Sequence, residues 1–124
     1  MWPLVMTSLT LIIPTVRAFR NGKKILSVVD GTACITSVNY WRKPDKGIRL
    51  TIDRTTATAL VLSNAIVSFS SMNKKAILFG ASSLVLWRGS NICKKRNMPI
   101  WWVLHGSYHL LGVIGTISNA DSIP

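Results

Sequence analysis

The chain has 124 residues, 48% of them hydrophobic and only 15% charged, with fifteen Lys and Arg against four Asp and no Glu. Water-soluble domains carry about a quarter charged residues, so this composition argues against a surface built for water, and the missing glutamate excludes glutamate-based acid–base chemistry. Two cysteines, Cys34 and Cys93, are too few for a disulfide framework and read as small apolar fillers.

Uncharged runs alternate with short basic clusters along the whole chain, and the runs predict five helices, roughly 2–16, 25–41, 55–73, 76–87 and 97–118. The first run has no positive residues before it, so it reads as a retained helix and not as a cleaved signal, with Pro14 ending or kinking it. Arg17, Arg20, Lys23 and Lys24 follow. The second run contains only Asp30 and leads into Arg42, Lys43, Lys46, Arg49 and Arg54, interrupted by Asp45 and Asp53. The third run is charge-free up to Lys74 and Lys75, and the fourth, a short one, ends at Arg88, Lys94, Lys95 and Arg96. The fifth, 97–120, is the longest charge-free run.

A spanning helix takes about 20 apolar residues. The third and fifth runs meet that length, the second does so if Asp30 faces inward, and the first and fourth need snorkelling Lys and Arg or an interfacial position. A soluble core of buried strands is set aside because too few polar residues remain to coat it. The fold expected is therefore all-α: one integral membrane domain over 1–124, a polytopic bundle of four to five short transmembrane helices, multi-pass in a viral or organellar membrane.

With five spans the second and fourth loops carry nine basic residues and the first and third carry six. Basic loops on both faces are expected to contact anionic headgroups through Arg17, Arg20, Lys23, Lys24, Arg42, Lys43, Lys46, Arg49, Arg54, Arg88, Lys94, Lys95 and Arg96, at about 1 kcal/mol each near the surface. A protein partner in a larger assembly is the sharper expectation. Nucleic acid is not expected, because Trp41, Trp87, Trp101 and Trp102 read as interfacial anchors.

Ionisable residues at membrane depth are functional candidates. In "WWVLHGSYHLLGV", His105 and His109 lie one helical turn apart on one face, a spacing that suits zinc. Antiparallel connection of neighbouring helices brings Ser37, near the end of the second span, and Asp53, at the start of the third, to the same end of the bundle. These four can form one interior cluster. "GASS" and "GVIG" put small residues on the fourth and fifth helices, a packing signal. No Gly-x-Ser-x-Gly elbow, P-loop or Rossmann fingerprint occurs.

At Ser37, Asp53, His105 and His109 the chain resembles the alkaline ceramidase and progestin-receptor-like membrane hydrolase superfamily. That family has seven helices, a Ser-x-x-x-His on the second, an Asp near the start of the third and a His-x-x-x-His on the last. The resemblance spans roughly 40 residues on short motifs. It implies a zinc ion held by histidines, here His105 and His109, with Ser37 and Asp53 beside a water activated to cleave a lipid amide. Trp41 stands where the family has its first histidine, and an indole cannot ligate zinc. Two family helices have no counterpart among the five runs.

The function expected is a small basic membrane protein with a structural or assembly role, with no cofactor, in a virion or inner membrane for example. The alternative is a minimal zinc-dependent ceramidase-like amidohydrolase.

Overall fold

A computed structural model describes residues 2–122. Every regular element among them is a helix: α1 (Trp2–Leu9), α2 (Ile12–Arg20), α3 (Lys24–Arg42), α4 (Ile48–Ser70), α5 (Lys74–Lys95) and α6 (Trp101–Asp121). The all-α expectation holds. By length and composition, one stretch among the described residues, Trp2–Arg20, is long and apolar enough to cross a membrane.

The boundaries depart from the uncharged runs where helices continue through charge. The first helix does not stop at Pro14: α2 carries that proline as its third residue and runs on to Arg20. In the first helical turn a missing N–H forfeits no bond, so the interruption falls earlier, at Thr10–Leu11. There Leu11 N–H bonds Ser8 O at 3.1 Å and Ile13 N–H bonds Thr10 O at 3.1 Å, both one residue tighter than the α-helical pattern. Helix α4 begins at Ile48, seven residues before the charge-free run, and α5 is 22 residues long and continues past Arg88 to Lys95. Arg54 and Arg88 therefore sit on exposed helix faces and not in loops.

Three helix ends share one stop. Gly22, Met72 and Asn97 have φ of 76°, 52° and 53°. At each, the following amide reaches back five residues: Lys23 N–H to Ala18 O at 2.8 Å, Asn73 N–H to Ser68 O at 2.9 Å, and Met98 N–H to Cys93 O at 2.9 Å. This is the Schellman arrangement, which satisfies carbonyls the helix leaves open. Asn73 then caps α5, its Oδ1 accepting from Ala76 N–H at 3.2 Å.

Helix α6 is central, touching α1, α2, α4 and α5, and its most extensive partner is α5. The small residues account for that closeness, as the sequence indicated. A Cβ on Gly115 would lie 3.5 Å from Ala76 O, Gly80 N and Phe79 Cβ, which is ordinary contact. Gly115→Ala is therefore expected to be tolerated, and Gly115→Leu to reduce stability by about 1–3 kcal/mol through overpacking, measurable by reversible denaturation in detergent. Helix α4 packs mainly on α3 and meets α5 and α6 sparsely. The gap is a cavity of about 240 Å³.

Many large hydrophobic side chains lie on the outside of the bundle. Among the described residues, twelve hydrophobic residues are buried whereas 27 large ones are exposed, and nine polar residues, including Asp30 and Asn119, are buried. The two thiols are free, Cys34 buried and Cys93 partly so.

Candidate functional site

Helices α3 and α4 run antiparallel across the short 43–47 connection, which brings Ser37 beside Asp53. Ser37 Oγ donates to Asp53 Oδ1 at 2.7 Å. Thr36, adjoining Ser37 in sequence, and Thr56, three residues after Asp53, join the same two helices through their hydroxyls. Ser37 is 9% exposed, so the pair lies inside the bundle.

His105 and His109 belong to the first half of α6, whose start at Trp101 puts His105 in the second turn, shallower than a start at 97 implied. Their ring centroids are 4.8 Å apart with planes at 76°. Each Nδ1 has a hydroxyl partner from a different helix. Thr7 Oγ1 of α1 lies 2.8 Å from His109 Nδ1, and Ser90 Oγ of α5 lies 3.1 Å from His105 Nδ1. The rings are thereby pinned, and no hydrogen bond among the described residues reaches their Nε2 atoms. Nothing in the sequence marked Thr7 or Ser90, because their role depends on which helices meet α6.

Trp41 is buried, and its ring stands edge-on to His105 with centroids 4.9 Å apart. It also neighbours Trp101 at 6.3 Å and Tyr40 at 4.7 Å. Lys94 Nζ caps the aromatic group, 4.7 Å from the Trp101 centroid and 5.8 Å from that of Trp41, a cation–π contact worth about 0.5–2 kcal/mol depending on exposure.

The four sequence-predicted residues thus form two pairs at one end of the bundle. Ser37 and His109 line the same cavity, but no hydrogen bond among the described residues joins the Ser37–Asp53 pair to either histidine. A zinc ion needs three or four protein ligands. No three His, Cys, Asp or Glu side chains among the described residues are grouped to hold a metal ion. The donor set does not fit zinc, and the indole of Trp41 beside His105 is the physical reason.

The cavity's far end carries residues that sequence reading passed over. Asn64, Ser68 and Asn119 line it there, with Leu60, Val61 and Leu84 also in the wall. Asn119 Nδ2 donates to Ser68 Oγ at 2.9 Å and to Asn64 O and Oδ1 at 3.1 and 3.0 Å. Amides inside otherwise charge-free runs were the available signal.

Most of the basic residues are exposed at the helix ends, with Lys23 and Arg49 turned partly inward. Arg17 pairs with Asp121 at 3.3 Å. Arg49 bonds Asp45 in the 43–47 connection, and that hydrogen bond holds the Asp45 carboxyl below the usual range. Lys23 is drawn against the end of α6, its Nζ donating to Asn119 O and Ser122 O at 2.6 Å each. Desolvation there lowers its pKa, partly offset by Asp121. Comparison of the chain with protein-family models, with curated proteins and with solved structures finds no match.

Proposed function

We propose that this chain is a small multi-pass membrane protein with a structural or assembly role, its bundle in the bilayer and its basic ends on anionic headgroups. The observation that carries this reading is the apolar exterior: 27 large hydrophobics are exposed around a core that mixes twelve hydrophobic with nine polar residues among those described. An exterior that apolar is a liability in water and suits lipid. Arg54 and Arg88, exposed within α4 and α5, fit as snorkelling residues at the bilayer boundary. The protein is expected to resist alkaline extraction from membranes and to float with phosphatidylserine vesicles. Recovery in the soluble fraction would end the membrane reading. For the assembly role, a photo-crosslinker at Lys46 is expected to capture a protein in the native membrane, and capture of lipid alone would sink it.

A second reading, the ceramidase-like zinc amidohydrolase, draws on the 2.7 Å Ser37–Asp53 bond and the adjoining His105 and His109 rings. The missing third ligand weighs against it. A centre that keeps the packing of such a site without its metal accounts for both facts, since hydroxyls hold each imidazole and Trp41 fills the vacated position.

A further inference from the structure

Helix α4 stands off from α5 and α6, and the cavity between them opens outward, since Phe69, Ala81 and Leu84 of its wall are exposed. On α4 the wall runs from Ala57 to Phe69, about 18 Å at the α-helical rise. One hydrocarbon leaflet of a bilayer is about 15 Å deep. An apolar cavity of about 150 Å³ admits a benzene molecule. This one, at about 240 Å³ and drawn out along the helices, has the proportions of a single acyl chain. Polar side chains in its wall spend their hydrogens on the protein: Ser37 on Asp53, Ser68 on Asn64 O, Ser83 on Gly80 O and Thr116 on Gly112 O. What remains for an occupant is mostly hydrocarbon. Gly80 also lies in the wall, and a Cβ added there would meet nothing within 4 Å.

Two arginines continue the lining beyond one end. Arg54 precedes Ala57 and Val61 by three and seven residues, and Arg88 follows Leu84 and Ala81 by four and seven, so each shares a helix face with the wall. Arg54 lies sixteen residues before the end of α4 at Ser70, and Arg88 fourteen after the start of α5 at Lys74. Across the tight turn that joins these helices, the two positions are level to within about 3 Å. Both residues are exposed, and the arginine hydrogen bonds and ion pairs among the described residues belong to Arg17, Arg42 and Arg49 instead. Asp53, next to Arg54 in sequence, accepts from Ser37 inside the bundle.

We propose that the groove between α4 and α5 binds one anionic phospholipid, with its phosphate on Arg54 and Arg88 and one acyl chain along the cavity. Guanidinium groups match phosphate oxygens in pairs. A neutral occupant leaves both charges unanswered, and a free anion leaves the apolar cavity unfilled. The proposal rests on the membrane reading and adds a defined lipid to it. Flotation on vesicles tests the first, and lipid kept through purification tests the second.

The full chain is to be extracted in mild detergent from bilayers holding equal phosphatidylglycerol and phosphatidylcholine, and the lipid it keeps counted by mass spectrometry. The expected result is about one phosphatidylglycerol per chain, retained about tenfold over phosphatidylcholine. Arg54→Gln with Arg88→Gln is expected to bring the two lipids to near-equal retention. Gly80→Leu is expected to cut phosphatidylglycerol retention about tenfold by taking the place of the acyl chain. Its lipid-free Tm should not fall, because leucine enters open space and suits a helix better than glycine. Ala57→Leu, from the opposite wall, is expected to have the same effect on retention and stands in should Gly80→Leu fail to fold. A protein that floats with vesicles yet keeps no lipid would overturn the proposal and spare the membrane reading. Equal retention of both lipids by the unaltered protein would overturn it, leaving a groove without a headgroup site. Retention untouched by a folded groove-filling variant, or a Tm raised as far by inorganic phosphate as by phosphatidylglycerol, would reduce the site to an anion contact and overturn it as well.

Discussion

Replacing Asn119 by leucine is expected to lower the unfolding free energy by about 2–3 kcal/mol, the largest loss from any single polar change in the bundle. Asn119 is 1% exposed and tied to Asn64 and Ser68 of α4, and Asn73 Nδ2 donates to its Oδ1 at 3.3 Å. Net hydrogen bonds are worth about 1 kcal/mol in water-soluble proteins and about 0.6 kcal/mol between helices in a bilayer. The excess comes from Asn64 Oδ1 and Ser68 Oγ, which lose the Asn119 donor inside the bundle, whereas Asn64 O keeps the Ser68 hydroxyl at 2.7 Å. Because α4 has few other contacts with α6, this hub is what sets their spacing. Reversible unfolding in mixed detergent, followed by tryptophan fluorescence, reads the change. A loss below about 0.5 kcal/mol, the scale of an ordinary surface change, would mean that α4 is placed by α3 alone.

Trp41→His is expected to give the purified protein about one zinc per chain, where the unaltered protein carries under roughly a tenth. The substitution puts an imidazole where an indole now stands 4.9 Å from His105, which is itself 4.8 Å from His109. Ser90 and Thr7 already hold both Nδ1 atoms. Such outer partners are what orient metal-bound imidazoles in zinc sites, so the two existing ligands need little rearrangement. Adding His105→Ala and His109→Ala should remove the metal again. Stoichiometric zinc in the unaltered protein would sink the structural reading. A folded Trp41→His protein without zinc would show that the two histidines are not arranged as ligands.

No charge marks the break at Thr10–Leu11 that divides the first run into α1 and α2, so five uncharged runs stand against six helices. Helices α3 to α6 were legible because charge interrupts the chain between them. Their lengths were not, since α4 starts before Arg49, Asp53 and Arg54 and α5 continues past Arg88, and an exposed helix face tolerates those charges. The register of the candidate site was legible from antiparallel connection alone, which joined Ser37 to Asp53. Its partners were hidden, because Thr7 and Ser90 meet the histidines only through the packing of α1 and α5 on α6. Asp30 was visible as an odd charge in an apolar run. That Asp30 Oδ2 would be buried without a hydrogen-bond partner was not visible, since it depends on how α3 packs in the bundle.

The last helix is held by the first third of the chain: Lys23 bonds Asn119 O and Ser122 O, Asn21 Nδ2 bonds Ala120 O at 2.7 Å, and Arg17 pairs with Asp121. These links join residues about a hundred positions apart, so they form late in folding. During synthesis α1, α2 and α3 must wait, with Thr7 and Leu4 lacking their neighbours on α6, until nearly the whole chain has left the ribosome. A ribosome stalled before residue 101 would therefore leave an open half-bundle, a natural substrate for quality control.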